Sequence, residues 1–555
     1  MQLSHTNVRP SRLAVFAAGA LASAATASPR VLDITVTSEA GQKLASVPTV
    51  EFRPGSAAGV SIAIDPADVQ QTIDGIGSSF TESSAFVLAH LDPERRREVI
   101  QRIFGAEGAN FTLTRTHIGS CDFSVEGRYA YQDSADATFT LAPDRAGFNP
   151  ATYPGIMDET YDLLPMIQEA AEIKRAQGDE PPRLIASAWT APPWMKDTGE
   201  WFTPGSPANN WQGTGGSLLA EHERTYADYT VDYLDAYNRE GVEFWGITPV
   251  NEPHGNSGSW ESMHFTAESQ NQFIKQHMGP ALRAGGHGDV RVLIYDQNRP
   301  DMQTWADAIF GDPDTAPFVY GMAIHWYGHT EDVFAGEIQA VRERYPQFPI
   351  IHTEGCIDNL GTEAPPTGIA DRDGWQETDW FNNDAFWWNR NATDWGYTAE
   401  WADGGANHPM YVPVHRYARN IIGSIDAGVT GWVDWNVVLD AQGGPNHVGN
   451  FCGAPIMIDT DSGFVYETPI FHVLAQFSRT IRPGDTAVGV TTNRADINRD
   501  ALHACATTNA DGIVAIQVLN TTKQPIDYTL ELQDHVASVT IPANAVQTVR
   551  VQMEK

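Results

Sequence analysis

An α/β fold organised around a (β/α)8 barrel, with an attached β-sandwich, is predicted by three features of the sequence. Eight short apolar runs alternate with helical stretches over roughly four hundred residues, the rhythm of a parallel barrel. Polar and aromatic residues recur just after those runs, at the end where such barrels carry their chemistry. Beyond about residue 484 the alternation stops, and short strands separated by turn residues replace it.

The chain has 555 residues, enough for a large core and two domains. Arg9 and Arg12 precede an apolar stretch at 13–22, and Ala25-Thr26-Ala27 stands before Ser28-Pro29. This is the pattern of a signal peptide cleaved after Ala27, so the expected product is secreted or periplasmic. The apolar stretch is too short for a membrane span, and no later segment reads as one. Alternating segments at 31–36 and 60–64 predict strands of a half-buried sheet. Barrel strands are predicted at 72–76, 111–116, 184–189, 244–250, 290–295, 321–325, 349–353 and 431–435, with helices at 93–104, 164–176, 219–239, 267–284 and 412–427 among them. Strands at 487–492, 501–507, 512–520, 527–532 and 546–551 complete the sandwich together with the N-terminal strands. The expected organisation is a leader at 1–27, N-terminal sandwich strands at 28–68, the barrel at 69–480 and the C-terminal sandwich at 481–555.

The stretch that carries the chemistry is Phe244-Trp245-Gly246-Ile247-Thr248-Pro249-Val250-Asn251-Glu252-Pro253-His254. An apolar run ended by Pro253 leaves Glu252 at the mouth of a strand. A carboxylic acid that protonates a leaving oxygen needs a partly apolar setting, which Trp245 and the prolines are expected to supply. Pro349-Ile350-Ile351-His352-Thr353-Glu354 places a second carboxylate on a second strand end. Two such carboxylates are the minimum for cleaving a glycosidic bond. Arg115 and Asp122 follow the second strand, Trp189 the third, Asn251 the fourth, His325 and Tyr327 the sixth, and Trp435 the eighth. Aromatic faces cover the C–H face of a sugar while carboxylates and amides hold its hydroxyls.

Other chemistries are disfavoured. The formal charge is −35, and loss of the leader would leave 33 basic against 70 acidic residues, a charge of −37. Such a surface repels nucleic acid and anionic membranes, and no basic stripe interrupts it. Cys121, Cys356, Cys452 and Cys505 are too scattered for a zinc site or a disulfide framework; one disulfide of undetermined pairing stays open. The histidines, His325 and His352 among them, lack ligand spacing and read as solvated or packed imidazoles. No metal or organic cofactor is called for, because carboxylates supply both proton transfer and covalent attack.

Gly75-Ile76-Gly77-Ser78-Ser79-Phe80-Thr81-Glu82, the run from Arg115 to Ser124, Ala186-Ser187-Ala188-Trp189-Thr190-Ala191-Pro192-Pro193-Trp194, Val250-Asn251-Glu252-Pro253, Ile324-His325-Trp326-Tyr327 and Gly431-Trp432-Val433-Asp434-Trp435-Asn436 with Gly443-Gly444-Pro445-Asn446 together resemble glycoside hydrolase family 30, and within it the glucosylceramidase type. The resemblance runs from about residue 71 to beyond 480. It implies a retaining β-glycosidase acting on β-glucosides, with Glu252 as acid/base and Glu354 as nucleophile. It further implies that Asn251 meets the sugar 2-hydroxyl, that Asp122, Trp189 and Trp435 hold the terminal sugar, and that Asn450 and Phe451 line the rim. Arg115, Tyr327 and His325 would support the carboxylates.

The chain departs from that pattern in two places. A Trp-rich segment at 362–405 is inserted after Glu354 and is expected to wall the cleft and form a leaving-group subsite. Pro445-Asn446-His447 stands where the lysosomal type has Pro-Asn-Trp. An endo-β-1,6-glucanase on the same scaffold, or a carbohydrate-binding protein without catalysis, are the alternatives. A β-glucoside or β-glucan is the expected partner in either enzymatic case.

Overall fold

The computed structural model describes residues 28–203, 215–255, 259–358, 360, 380–389, 412–494 and 500–553. The leader expected at 1–27 lies outside them. Eight parallel strands form the central sheet: β1 (Gly75–Ser78), β2 (Leu113–Ile118), β3 (Arg183–Ala188), β4 (Gly246–Thr248), β5 (Arg291–Asn298), β6 (Val319–His325), β7 (Ile350–Glu354) and β8 (Gly431–Asp434). Their hydrogen-bonded order runs from β1 through β8 and down to β2. A parallel bridge between Ser79 and Arg115 closes β1 onto β2. Gly77 permits that closure, since a Cβ there would lie 2.0 Å from the Leu113 carbonyl oxygen.

Side chains alternate along each strand, so residues two apart stack in layers inside the barrel. Leu113, Ile185, Leu293, Ala323, Ile351 and Val433 form one fully buried apolar layer. Two residues further along β2, β3, β6, β7 and β8 come Arg115, Ser187, His325, Thr353 and Trp435. The barrel therefore changes from oily to polar at a defined height.

Helix limits follow local chemistry. Asp92 caps Pro93–Phe104 by accepting from the Glu94 and Arg95 amides, and Pro93 sits where a missing N–H costs nothing. The helix expected at 267–284 is divided into Ala267–Phe273, a wider turn at Ile274–Met278 and Gly279–Ala284. Pro280 explains the break, because it cannot donate to the preceding turn. Among the described residues, no helix is long and apolar enough to cross a membrane.

The sandwich is one ten-stranded ribbon folded on itself. Arg30–Ser38 pairs with Ala545–Gln552, joining the N-terminal strands to the C-terminal ones. Ser61–Thr72 pairs along Thr486–Asn493 and, over its first part, along Ile526–Leu532. His535–Ile541, a strand not predicted from the sequence, pairs with Ile526–Leu532. The barrel helix Pro469–Ser478 fastens the two bodies: Gln476 accepts from Thr37 at 2.7 Å and donates to the Val546 carbonyl at 3.1 Å.

All four cysteines are buried free thiols, so the disulfide left open by the sequence is not formed. Of the Trp-rich segment, 380–389 is described. It packs as core: Trp380 donates to the Ala441 carbonyl at 2.7 Å, Trp387 to the Trp380 carbonyl at 3.1 Å, and Trp387 is fully buried. This part supports the loop that follows β8 from behind. Trp375, Trp395 and Trp401 lie outside the described residues.

Candidate active site

The carboxyl ends of the strands bring every sequence-predicted site residue to one mouth of the barrel. Glu252 follows β4 and Glu354 ends β7, and an oxygen of each lies within 4.8 Å of the other and of a His325 ring nitrogen. Glu252 holds a left-handed backbone with φ 46°, as do Tyr295, Asp296 and Asn436 at neighbouring strand ends. Non-glycine residues adopt that region at an energetic cost, and they cluster where side-chain aim matters.

Beneath the pair is a buried charge network. Arg115 donates to Glu354 Oε2 at 2.7 Å, to Asn251 Oδ1 at 2.7 Å, to Asp296 Oδ2 at 2.9 Å and to Ser187 at 3.0 Å. Tyr327 donates to the other Glu354 oxygen at 3.1 Å. Asp296 accepts further bonds from Ser187 at 3.0 Å, Thr248 at 2.8 Å and Thr353 at 2.8 Å. Burial opposes ionisation of Asp296, yet Arg115 and then His325 hold its carboxyl well below the ordinary value. His325 spans two acids, reaching Asp296 at 2.9 Å and Glu252 at 3.2 Å. Burial lowers the imidazole pKa, but the Glu354 charge and the bonds to Asp296 and Glu252 outweigh that and push it up to about 9. Burial raises the Glu354 carboxyl, while the charges of His325 and Arg115 pull against the rise.

Two expectations change here. His325 is a charged link between carboxylates, because its ring stands between the fully buried Asp296 and the partly exposed Glu252. His352 is packed as expected, stacked on Trp432 at 4.5 Å with the rings 3° from parallel. Trp245 does not supply the setting of Glu252: it precedes β4 at the amino end of the barrel and packs against Tyr320.

The remaining residues form the wall. Trp189 and Trp435 stack at 5.1 Å, and the Arg115 guanidinium lies 4.9 Å from the Trp189 ring centre. Because Asn251 accepts from Arg115 through Oδ1, its Nδ2 is left as the donor. Asp122, on the loop after β2, accepts from Asn450 at 3.2 Å and from Asn446 at 3.4 Å. Burial and then the Glu354 charge push its carboxyl up to about 7, against the pull of Asn450 and His447. Asn450 and Phe451 sit half-buried on the loop after β8. Sequence reasoning did not single out Asp296, Ser187, Thr248, Thr353 or Glu261. Asp296 follows the apolar run Val292-Leu293-Ile294-Tyr295, the same signal that marked Glu252 and Glu354.

Residues 73–409 and 407–481 match the Glycosyl hydrolase family 30 TIM-barrel domain, and residues 486–549 match the Glycosyl hydrolase family 30 beta sandwich domain. The chain belongs to glycoside hydrolase family 30. This family 30 enzyme is 27% identical to the lysosomal acid glucosylceramidase of Mus musculus over 482 residues, spanning 86% of this chain and 80% of that one. It is 24% identical to an endo-1,6-beta-D-glucanase of Neurospora crassa over 465 residues, 82% of this chain and 81% of the other. In fold it is similar to SrfJ from Salmonella typhimurium, with a TM-score of 0.75 at 24% identity over 94% of this chain and 99% of that one.

Proposed function

We propose that this glycoside hydrolase cleaves β-glucosides with retention, by double displacement. The observation that carries the reading is the approach of Glu252 and Glu354 to within 4.8 Å. Retaining pairs stand about 5–5.5 Å apart, whereas inverting pairs leave roughly 6.5–9.5 Å for a water. Glu354 attacks the anomeric carbon as a carboxylate, steadied by Arg115 on one oxygen and Tyr327 on the other. Glu252 first gives its proton to the departing oxygen. His325 engages Oε1, so the transferred proton is carried on Oε2. In the second step Glu252 takes a proton from water, which releases the sugar from Glu354. Asn251 Nδ2 donates to the sugar 2-oxygen, a bond that strengthens as the ring becomes oxocarbenium-like. Asp122, Trp189 and Trp435 hold the remaining hydroxyls and the apolar face, with Asn450 and Phe451 at the rim.

The similarity to the glucosylceramidase supports a terminal glucose as the sugar. The similarity to the Neurospora enzyme supports a second reading, endo-acting β-1,6-glucan hydrolysis. We also propose that the protein is exported, on the strength of residues 1–27. Purified protein offered an aryl β-glucoside, glucosylceramide in detergent and soluble β-1,6-glucan separates the substrate readings. Glucose from the first two supports the leading one; oligosaccharides from the glucan with little glucose from the lipid overturn it. Proton NMR of the first-formed sugar tests retention, and an α-anomer would overturn double displacement.

A further inference from the structure

The loop after β8 is tied to the loop after β2 by more than the two asparagines. Asn446 Oδ1 accepts from the Val448 amide at 2.9 Å and from the Asn450 amide at 3.1 Å, which folds the turn so that both Asn446 and Asn450 aim Nδ2 at Asp122 Oδ2. The His447 amide donates to the Asp122 carbonyl at 3.2 Å, and Ser83 donates to the Pro445 carbonyl at 2.6 Å. The two asparagines hold the Asp122 carboxylate itself, while the His447 amide and Ser83 anchor the turn that carries them.

The His447 ring adds charge to that arrangement. Nδ1 lies 2.9 Å from the Ser124 carbonyl oxygen, which can only accept, so Nδ1 carries a proton. Nε2 lies 3.3 Å from Glu261 Oε2, on the loop after β4, and the Glu261 side chain is fully buried. Burial alone would raise the Glu261 carboxyl, but His447, with Ser120 and a backbone amide, offsets it and the net direction is downward. Burial lowers the His447 imidazole pKa, but Glu261, the Ser124 carbonyl and Asp122 outweigh that and raise it, so the ring favours the imidazolium. The groups acting on Asp122 are then Glu354 and Glu261, which oppose its ionisation, and His447 and Asn450, which favour it. A neutral aromatic at position 447 would keep the shape and lose the charge.

We infer that His447, paired with buried Glu261, is a positioning residue that favours the ionised form of Asp122 as acceptor for the hydroxyls of the bound sugar. This rests on the sugar-binding role proposed above for Asp122. It joins the loops after β2, β4 and β8 into one element, with the acid/base Glu252 nine residues before Glu261 on the middle loop. Ionised acceptors make hydrogen bonds roughly twice as strong as neutral ones, so the pair acts on sugar affinity more than on the bond-breaking step.

The test is a double-mutant cycle on binding of phenyl β-thioglucoside, a non-cleavable glucoside, by calorimetry. His447→Phe is expected to raise Kd about tenfold in the wild-type background, a loss of ~1.4 kcal/mol, and by less than about twofold in an Asp122→Asn background, where the charge it supports is already gone. With the cleavable aryl β-glucoside, His447→Phe should raise KM by a larger factor than it lowers kcat. His447→Arg, which restores a cation opposite Glu261, should recover part of the affinity. Equal losses in both backgrounds, or no change in Kd in the first, overturn the inference. If His447→Phe does not fold, Glu261→Gln removes the counter-charge with little change of shape and is run through the same cycle with the same two outcomes. Wild-type turnover of the cleavable glucoside tests the proposed function by itself: binding without turnover strikes that reading alone, and absence of binding by the wild type overturns the inference.

Discussion

Replacing Asp296 by Asn tests the charge network without changing its shape. Oδ2 of Asp296 accepts from Arg115, Ser187 and Thr248, and Oδ1 from His325 and Thr353. An amide must turn its NH2 toward one of those sets of donors, so either orientation sets donor against donor. It also removes the carboxylate facing Arg115 and His325, both fully buried. Breaking one member of a buried ion pair costs about 3–5 kcal/mol. With an unfolding entropy of ~2.1 cal/mol/K per residue over a barrel of roughly 400 residues, that lowers the melting temperature by about 4–6 °C. The Asp296 carboxyl is held below its ordinary 3.8, so its contribution is in force above that pH and is lost as pH falls through the depressed folded value. Scanning calorimetry of wild type and Asp296→Asn should show the full gap at pH 6–7 and a narrowing gap below pH 4. A difference under about 1 °C at neutral pH, or a gap that widens in acid, refutes the account of Asp296 as the counter-charge of the site.

Glu252→Gln should lower kcat/KM on an alkyl β-glucoside by about 10²–10⁴-fold and spare the first step on an activated aryl glucoside, whose leaving group needs little protonation; equal losses on both, measured by burst kinetics, count against the acid/base assignment. Burial raises the Glu354 carboxyl, and the nucleophile works only when ionised, so activity falls away as pH drops through that raised value. The acid limb of kcat/KM should therefore lie above pH 4.5, and a limb below it would contradict the burial of Glu354. Tyr327→Phe removes one hydrogen bond from the ionised nucleophile and should cost about 1.5–3 kcal/mol, roughly a 10- to 150-fold loss in kcat/KM. Trp387→Ala empties a fully buried site behind the loop that follows β8 and should destabilise the barrel by about 3–5 kcal/mol; an unchanged melting temperature would remove this tryptophan from the core.

The sequence disclosed the barrel because its strands are buried on both faces and read as apolar runs whatever their neighbours. Pro93–Phe104 was legible to the residue, since Asp92 and Pro93 mark its start and Gly105 its end. Glu252 and Glu354 were legible for the same local reason, a carboxylate one to three residues beyond an apolar run, at the mouth of its strand. Asp296 carries that signal too, but the predicted strand stopped at Tyr295 while β5 continues to Asn298 through two left-handed residues. His325 could not be assigned its charge, because that depends on acids 29 and 73 residues away. The Glu261–His447 pair is likewise a product of three loops meeting. His535–Ile541 escaped notice because its buried positions include a histidine and an alanine while Val536 points to the other side.

The ribbon that begins at Arg30 is completed at Gln552, and this has a consequence for biosynthesis. Ile34 and Val36 are buried by partners that leave the ribosome more than five hundred residues later. A nascent chain can fold its barrel strands as they emerge, yet its first strand must wait, with an apolar face uncovered, until Ala545–Gln552 arrives. The sandwich can therefore close only once residues 545–552 have been made: a product stopped short of residue 545 would display an unpaired strand edge to chaperones, proteases and other copies of itself.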